Sequence, residues 1–173
     1  NANDGAITIS NCVAWGGSVG FNISSANFTS SSISNLTQGN SGYDGIRVYE
    51  TQSDLIVNLI SYDNDRYGIN SSTQPSYCNV YGAEISAYNT TTCVTGCLTS
   101  DPTTSALLYP VRVESGSALD GTGAGGLNYG ATIEKHYGTD GTFYGESGYN
   151  LLQDGTNGQD DVDLWPWPNE ALI

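Results

Sequence analysis

Short runs of alternating apolar and polar residues follow one another along roughly the first half of this 173-residue chain. The runs are rich in Ile, Val, Tyr and Thr, and they are separated by Gly, Asn, Asp and Ser, which is typical of β-strands joined by tight turns. No run has the length and spacing of an amphipathic helix. The pattern therefore predicts an all-β protein.

The pattern repeats about every 24 residues. Residues 8–15 (TISNCVAW) return as 32–37 (SISNLT) and 56–62 (IVNLISY), and a weaker copy lies at 85–89 (ISAYN). Self-similarity at this period is typical of solenoids, whereas leucine-rich repeats need a denser leucine consensus and propeller blades need about 40 residues. We therefore predict a right-handed parallel β-helix of about four to five coils over residues 1–133.

The repeat also predicts which residues are neighbours. Adjacent parallel strands are expected to carry the equivalent apolar residues of successive copies, namely Ile9, Ile33, Val57 and Ile85. Asn11, Asn35 and Asn58 follow the same step. We expect these three amides to stack inside a turn and to hydrogen-bond to one another.

Two parts of the chain depart from the repeat. Residues 91–105 are predicted to form an irregular insertion that contains two cysteines, and residues 106–113 a last strand pair. Residues 134–173 are predicted to form an extended tail packed on the outside of the coils, because Pro166 and Pro168 exclude a helix interior or a central strand.

The end of the repeat region carries a motif that resembles a known family. A serine-led, glycine-rich stretch at 117–123 (SALDGTG) leads to 128–131 (NYGA), and the first coil reads NCVAWGGSVGF over residues 11–21. Over about residues 5–133 the chain resembles secreted right-handed parallel β-helix proteins of the pectate-lyase-like superfamily, in their C-terminal coils and tail. The resemblance implies the fold, with 116–133 as the terminal coil. It implies no single activity, because lyases, hydrolases, adhesins and phage spikes share these coils.

Charge narrows the range of partners. Eighteen acidic residues against four basic ones give a net charge of -14, which repels nucleic acid and anionic membrane surfaces. No apolar run is long enough to span a bilayer. Abundant Ser, Thr, Asn and Gly with few charged side chains is typical of an extracellular protein. Since the chain has no methionine and starts just before the first coil, we expect it to be the C-terminal part of a larger secreted or surface protein.

Four cysteines predict disulfide chemistry. Cys93 and Cys97 are expected to form a local disulfide in an exported protein, while Cys12 and Cys78 form either a longer link or buried thiols. Zinc binding is not expected, because no second cysteine pair or nearby histidine completes a ligand set, and His136 is the only histidine.

The resemblance directs attention to basic residues and cation ligands. Lyases of the superfamily use a basic residue to remove a proton beside a carboxylate that Ca²⁺ neutralises, which makes Arg47 and Arg66 the catalytic candidates. Asp63 and Asp65 are the candidate Ca²⁺ ligands, because this cation prefers oxygen ligands, although Asp-Asn-Asp is also ordinary turn sequence. A glycoside hydrolase would instead need grouped carboxylates. The acidic residues that could supply them are Asp44, Glu50, Asp63, Asp65 and Glu84.

Aromatic residues provide candidates for carbohydrate binding. Trp15 and Tyr62 occupy equivalent positions two coils apart, where they could stack against sugar rings. Further tyrosines lie nearby in the sequence, namely Tyr49, Tyr67, Tyr81 and Tyr88. The alternative interpretation is that all of these are half-buried side chains on a hydrated sheet face.

Five Asn-x-Ser/Thr sequons predict glycosylation if the source has the machinery. The expected sites are Asn22, Asn27, Asn70 and Asn89. Asn35 also lies in a sequon, but its place in the asparagine series makes it the least expected site.

Together these features predict an extracellular β-helix module with a structural, adhesive or carbohydrate-contacting role, whose partner is a polysaccharide or a cell-surface glycan. The alternatives are a Ca²⁺-dependent polysaccharide lyase or a glycoside hydrolase of the same superfamily, and a subunit of an extracellular fibre. The edge of the first coil is expected to be covered by a preceding domain, a partner subunit or another copy of the chain.

Overall fold

The computed structural model describes residues 5–25, 28–50, 55–104, 106–109 and 112–133. Within these ranges the regular secondary structure is all β-strand except for one short 3-10 helix at Ala124–Gly126. The strands in chain order are β1 (Gly5–Trp15), β2 (Phe21–Ser25), β3 (Phe28–Gly39), β4 (Ile46–Glu50), β5 (Leu55–Tyr62), β6 (Tyr67–Ser71), β7 (Ser76–Tyr81), β8 (Ser86–Thr90) and β9 (Cys97–Leu98). The predicted tail at 134–173 lies outside the described residues. No helix in the described part of the chain is long and apolar enough to cross a membrane.

In the described part of the chain, all strand pairs are parallel and belong to two sheets. The first sheet has the order β1-β3-β5-β7-β9, and the second has the order β2-β4-β6-β8. Up to β9, strands alternate between the two sheets, so the chain makes three turns of a β-solenoid from β1 to β7 before β9 begins another. This confirms the predicted all-β, parallel β-helical fold. The solenoid makes about three turns in the described residues, fewer than the four to five coils predicted.

Apolar side chains from both sheets point into the solenoid and stack in rows. One row of the first sheet contains Ile9, Ile33 and Ile56, and one row of the second contains Phe21, Ile46 and Ile69. Ile33 and Ile46 are fully buried, and burying a side chain of this size contributes about 1.5–3 kcal/mol. The core is therefore built by placing equivalent residues of successive turns on top of one another.

Each long strand of the first sheet bends at one residue with a positive φ. The bend residues are Asn11 (φ 52°), Asn35 (φ 52°), Asn58 (φ 58°) and Tyr77 (φ 52°). Among non-glycine residues asparagine tolerates this left-handed conformation best, which explains why it recurs at this position. Successive bend residues are 24, 23 and 19 positions apart, so the turn shortens after Asn58.

The shorter step corrects one predicted alignment. A constant period placed Ile85 beside Val57 in the first sheet, but Ile85 precedes β8, which pairs with β6 in the second sheet. Val57 pairs with Ser34 on one side and Ser76 on the other. The residue beside Ile33 is Ile56, one position before the predicted Val57. The prediction for Ile85 was wrong because the third turn contains fewer residues than the second.

Residues 123–132, which we call the strap, run across the bends instead of forming a further coil. Successive strap amides donate hydrogen bonds of 2.7–2.8 Å to three different turns. The donor and acceptor pairs are Gly130 N with the Asn58 carbonyl, Ala131 N with Thr37 Oγ1, and Thr132 N with Asn11 Oδ1. The predicted terminal coil at 116–133 is therefore wrong, because this segment crosses the turns instead of following them.

The asparagine side chains bind the strap. Asn35 Nδ2 donates to the carbonyls of Asn128, at 2.9 Å, and Gly130, at 3.3 Å. Asn58 Oδ1 accepts from Ala124 N at 2.7 Å, and Asn58 Nδ2 donates to the Ala124 carbonyl at 3.4 Å. The predicted ladder of amides bonded to one another is wrong, because the strap brings backbone N-H and C=O groups that need partners of their own.

The strap and the segment before it cover the outer face of the first sheet. A second core cluster there contains Ile60, Ala106, Leu107, Val113, Leu119 and Tyr129. Leu59, which precedes Ile60 on β5, packs into the interior of the solenoid instead. Strand β5 is therefore buried on both faces, which explains its consecutive apolar residues. In the described part of 106–113, the predicted strand pair is reduced to one antiparallel bridge between Tyr109 and Arg112.

Replacing Gly130 tests how tightly the strap packs. Gly130 has a φ of +71°, and a Cβ there would lie 2.5 Å from Thr37 Oγ1 and 2.6 Å from Ile60 Cδ1. Gly130→Ala should lower the free energy of unfolding by about 2–5 kcal/mol. A residue with a Cβ in the left-handed conformation costs about 1–2 kcal/mol, and overpacking against Thr37 and Ile60 costs about 1–3 kcal/mol more. Urea denaturation measures the loss. Gly125→Ala is the matched control, since Gly125 has a φ of +69° but faces open space; equal losses for the two variants would contradict the packing.

Candidate functional site

The turns that lead from the first sheet to the second stack into a wall, which we call the turn wall. Backbone hydrogen bonds join successive turns, including Asn40 N to the Tyr62 carbonyl and Asp63 N to the Tyr81 carbonyl, both at 2.9 Å. Each turn begins with a left-handed residue, namely Gly16, Asn40, Asp63 and Gly82. This repeated geometry places side chains from different turns in fixed rows.

The aromatic row on the turn wall consists of Trp15, Tyr62 and Tyr81. In register, these residues and Gly39 end the four long strands. The ring centroids of Trp15 and Tyr62 lie 5.9 Å apart with planes at 23°, and those of Tyr62 and Tyr81 lie 6.1 Å apart with planes at 6°. Trp15 reaches across Gly39, where a Cβ would collide with the indole ring. Because Trp15 is 47% exposed and Tyr81 39% exposed, the row presents aromatic surface to solvent.

Acidic and hydroxyl side chains flank the aromatic row. Burial raises the pKa of Tyr62, and the charges of Asp63 and Asp101 raise it further, against a smaller lowering by a hydrogen bond with Thr103. Asp101 is held by Thr103, whose N and Oγ1 donate to Asp101 Oδ1 at 2.9 and 2.7 Å. A ligand on the row would therefore meet aromatic rings with negative charge beside them.

A separate cluster brings both predicted catalytic arginines to Asp44. The carboxylate is fully buried, and its Oδ2 accepts from Arg47 Nε at 3.0 Å, from Arg47 Nη2 at 2.8 Å and from Asn70 Nδ2 at 2.9 Å. Asp44 Oδ1 lies 3.8 Å from Arg66 Nη1 and accepts no hydrogen bond within the described residues. We call Asp44, Arg47 and Arg66 the arginine cluster.

Tyrosine rings hold the two guanidinium groups of the arginine cluster. Arg66 lies over the rings of Tyr43 and Tyr67, at 4.3 and 4.6 Å from their centroids, and Arg47 lies at 5.3 and 5.8 Å from those of Tyr43 and Tyr49. Desolvation lowers the pKa of Arg66, but Tyr43, the buried carboxylate and Tyr67 together raise it above its ordinary value. Arg66 therefore stays protonated, which opposes a role as the base of an elimination reaction.

A buried polar network supports the turn wall from inside. Gln38 Nε2 donates to Ser41 Oγ at 2.6 Å and to Asn64 Oδ1 at 2.7 Å. Ser61 Oγ donates to Gln38 Oε1 at 3.0 Å, and Asn64 Nδ2 donates to Ser61 Oγ at 3.0 Å. All four side chains are buried, so these mutual bonds satisfy groups that would otherwise destabilise the fold. The network ties the second turn to the third.

The predicted Ca²⁺ ligands, Asp63 and Asp65, lie in one turn and are both exposed. Asn64 between them points into the buried polar network. Across the ranges that the structure describes, no three His, Cys, Asp or Glu side chains converge as metal ligands. Calcium binding here stays a prediction.

The cysteines adopt one of the two predicted arrangements. Cys93 and Cys97 form a disulfide, as predicted, whereas Cys12 and Cys78 are free thiols. Cys12 and Cys78 lie in one interior row with two strands between them. At about 4.8 Å per strand spacing their Cα atoms are about 14 Å apart, which is too far for a disulfide. Burial raises the pKa of Cys78 to about 12.

The predicted glycosylation sites differ in accessibility. Asn22 is exposed and Asn89 partly buried, while Asn27 lies outside the described residues. Asn70 is fully buried, and its Nδ2 donates to Tyr49 Oη at 2.7 Å as well as to the arginine cluster. This arrangement opposes attachment of a glycan at Asn70. Glycosylation of Asn22 and Asn89 stays a prediction.

One residue of the turn wall, Gly39, was not identified from the sequence as part of a site, and Tyr81 was named only as a tyrosine near the candidates Trp15 and Tyr62. Gly39 is needed because it leaves room for Trp15, and Tyr81 extends the aromatic row. The sequence signal for Tyr81 was a tyrosine at the end of a strand-like run, but the shortened turn concealed that it is equivalent to Tyr62.

Comparisons with protein-family models, with curated proteins and with solved structures find no match to this chain. The resemblance to the pectate-lyase-like superfamily therefore stays a prediction, although the parallel β-solenoid itself is established by the strand pairing.

Substituting Gly39 tests the geometry of the aromatic row. In Gly39→Ala the new methyl group displaces the Trp15 indole, so near-ultraviolet circular dichroism should lose the part of the signal that Trp15→Phe also loses. Gly42→Ala is the control, because the nearest atoms to a Cβ there lie at 3.7 Å, an ordinary contact. An unchanged spectrum in Gly39→Ala would show that Trp15 does not lie over Gly39.

Proposed function

We propose that this chain is an extracellular carbohydrate-binding module and that the aromatic row contacts the glycan. The supporting observation is the set of three near-parallel rings of Trp15, Tyr62 and Tyr81 on a regular, exposed wall. Aromatic rings offer apolar faces to the C-H groups of sugars, and polar groups at the rim can bond to hydroxyls. A purely structural role would be better served by burying the rings, because exposure forgoes the stabilisation that burial brings.

The charge of the protein narrows the class of glycan. The chain carries -14 overall, and Asp63 and Asp101 act on Tyr62 at the centre of the row. A polyanionic glycan would be repelled both at long range and at the site. We therefore infer that the ligand is a neutral or amino-bearing polysaccharide.

Alanine substitutions in the aromatic row test this proposal. Trp15→Ala, Tyr62→Ala and Tyr81→Ala should each weaken binding to the best ligand by about 2- to 12-fold, since an aromatic contact is worth about 0.5–1.5 kcal/mol. The ligand is first found by affinity electrophoresis against neutral, cationic and anionic polysaccharides, and its affinity is then measured by calorimetry.

Tyr49→Ala is the matched control, because Tyr49 is 44% exposed but lies in the second sheet. It should leave binding unchanged, and far-ultraviolet circular dichroism should show that every variant is folded. Binding to no polysaccharide, or binding that all three row substitutions leave intact, would refute the proposal.

The lyase alternative has weaker support. Arg66 is held protonated by its neighbours, and Arg47 is bonded twice to Asp44. We expect no unsaturated, ultraviolet-absorbing product from polygalacturonate or alginate, with or without Ca²⁺. A product that forms with the unaltered chain and disappears in Arg66→Ala or Arg47→Ala would favour the lyase instead.

We also propose that the protein is extracellular and that its first turn is covered by another domain or subunit. The Cys93–Cys97 disulfide fits an oxidising, extracellular environment. Strand β1 is an edge strand of the first sheet. The interior residues of the first turn, Ile9 and Cys12 on β1 and Phe21 on β2, are only partly buried. An edge of this kind favours a covering by a preceding domain, a partner subunit or another copy of the chain.

A further inference from the structure

Three of the four cysteines gather in the last turn of the solenoid. Cys78 on β7 and Cys97 on β9 are paired in parallel register, and paired strands lie about 4.8 Å apart. Cys93, in the loop before β9, packs against the core cluster that contains Cys78. The free thiol of Cys78 therefore lies beside the Cys93–Cys97 disulfide.

Backbone hydrogen bonds fix the disulfide loop to the strand that carries Cys78. Val94 N donates to the Pro75 carbonyl at 3.1 Å, and Tyr77 N donates to the Thr95 carbonyl at 2.6 Å. Residues paired in parallel register point to the same face of a sheet. The expected spacing of paired strands lies within the range of about 4.4–6.8 Å between the Cα atoms of a disulfide. Cys97 is thus placed to bond with either neighbour.

We propose that Cys78, Cys93 and Cys97 form a thiol–disulfide exchange unit in which Cys97 alternates between two partners. The thiolate of Cys78 attacks Cys97 Sγ, the Cys78–Cys97 bond forms, and the Cys93–Cys97 bond breaks. Cys93 leaves as a thiolate and takes up a proton from solvent, which replaces the proton that Cys78 released. The step conserves one disulfide and one thiol, so it consumes no oxidant or reductant.

The two pairings differ in what they connect and in which thiol is free. The Cys93–Cys97 bond closes a loop with a sequence separation of 4, whereas a Cys78–Cys97 bond would join two successive turns. Exchange would also move the free thiol from the fully buried Cys78 to the partly buried Cys93. It would therefore convert an unreactive thiol into one that small reagents and partner thiols can reach.

The rate of exchange depends on the ionisation of Cys78. Burial raises its pKa to about 12, and only the thiolate attacks, so exchange should be slow at pH 7 and roughly 100-fold faster at pH 9. Tyr88 and Tyr129 are the titratable side chains that interact with Cys78. Burial raises the pKa of both, so they stay neutral across this range.

Disulfide mapping of the unaltered chain is the first test. The oxidised protein is held at pH 7 and at pH 9 without reductant, quenched with acid, alkylated with N-ethylmaleimide in denaturant, and digested with chymotrypsin. Cleavage after Tyr81, Tyr88 and Leu98 separates the Cys78 peptide from the peptide that contains Cys93 and Cys97. Mass spectrometry should find a second species in which the two peptides are linked and Cys93 is alkylated, and this species should form faster at pH 9.

Single substitutions provide the second test. In oxidised glutathione, Cys93→Ser should form a Cys78–Cys97 disulfide, Cys78→Ser should retain Cys93–Cys97 alone, and Cys12→Ser should behave like the unaltered chain. A single pairing in the unaltered chain at both pH values would overturn the proposal. So would a folded Cys93→Ser variant that keeps both thiols, or a second species that links Cys78 to Cys93.

Discussion

Hydrogen bonding between successive turns, in register and in parallel, is the constraint on which the rest of the structure depends. It places paired strand residues of one turn above those of the next, so a preference that recurs at paired positions becomes a continuous row. Isoleucine above isoleucine gives the interior core, and left-handed residues above one another give the bend in each long strand. The same pairing aligns the aromatic residues on the turn wall.

The strap adds a constraint that acts across the rows. Its backbone contacts three turns in succession through Asn58, Thr37 and Asn11. Together with the segment before it, the strap covers one face of β5 with a second core. Turns that would otherwise contact only their immediate neighbours are thereby joined over a longer distance. The asparagines at the bends thus serve two needs at once, since they accept the left-handed conformation and also provide the amide groups that bind the strap.

Charged side chains have different surroundings in the arginine cluster and on the turn wall. In the cluster, Asp44 is buried between two arginines, an arrangement in which the charged groups mainly satisfy one another and the surrounding tyrosines hold them in place. On the aromatic row, the charges of Asp63 and Asp101 raise the pKa of Tyr62, in addition to the larger effect of burial. The row therefore combines aromatic rings with carboxylates beside them.

The sequence by itself determined the fold class, the repeat and much of the register, because strand alternation and turn residues act locally and recur in every turn. It also identified the Cys93–Cys97 pair and the equivalence of Trp15 with Tyr62, since both follow from short or regular spacings. Only the tertiary structure decided the roles of Asn35 and Asn58, the course of the strap and the place of Ile85. The first two depend on contacts between residues far apart in the chain, and the third depends on a turn that is shorter than the repeat. Long-range contacts and a change of turn length leave no periodic signal in the sequence.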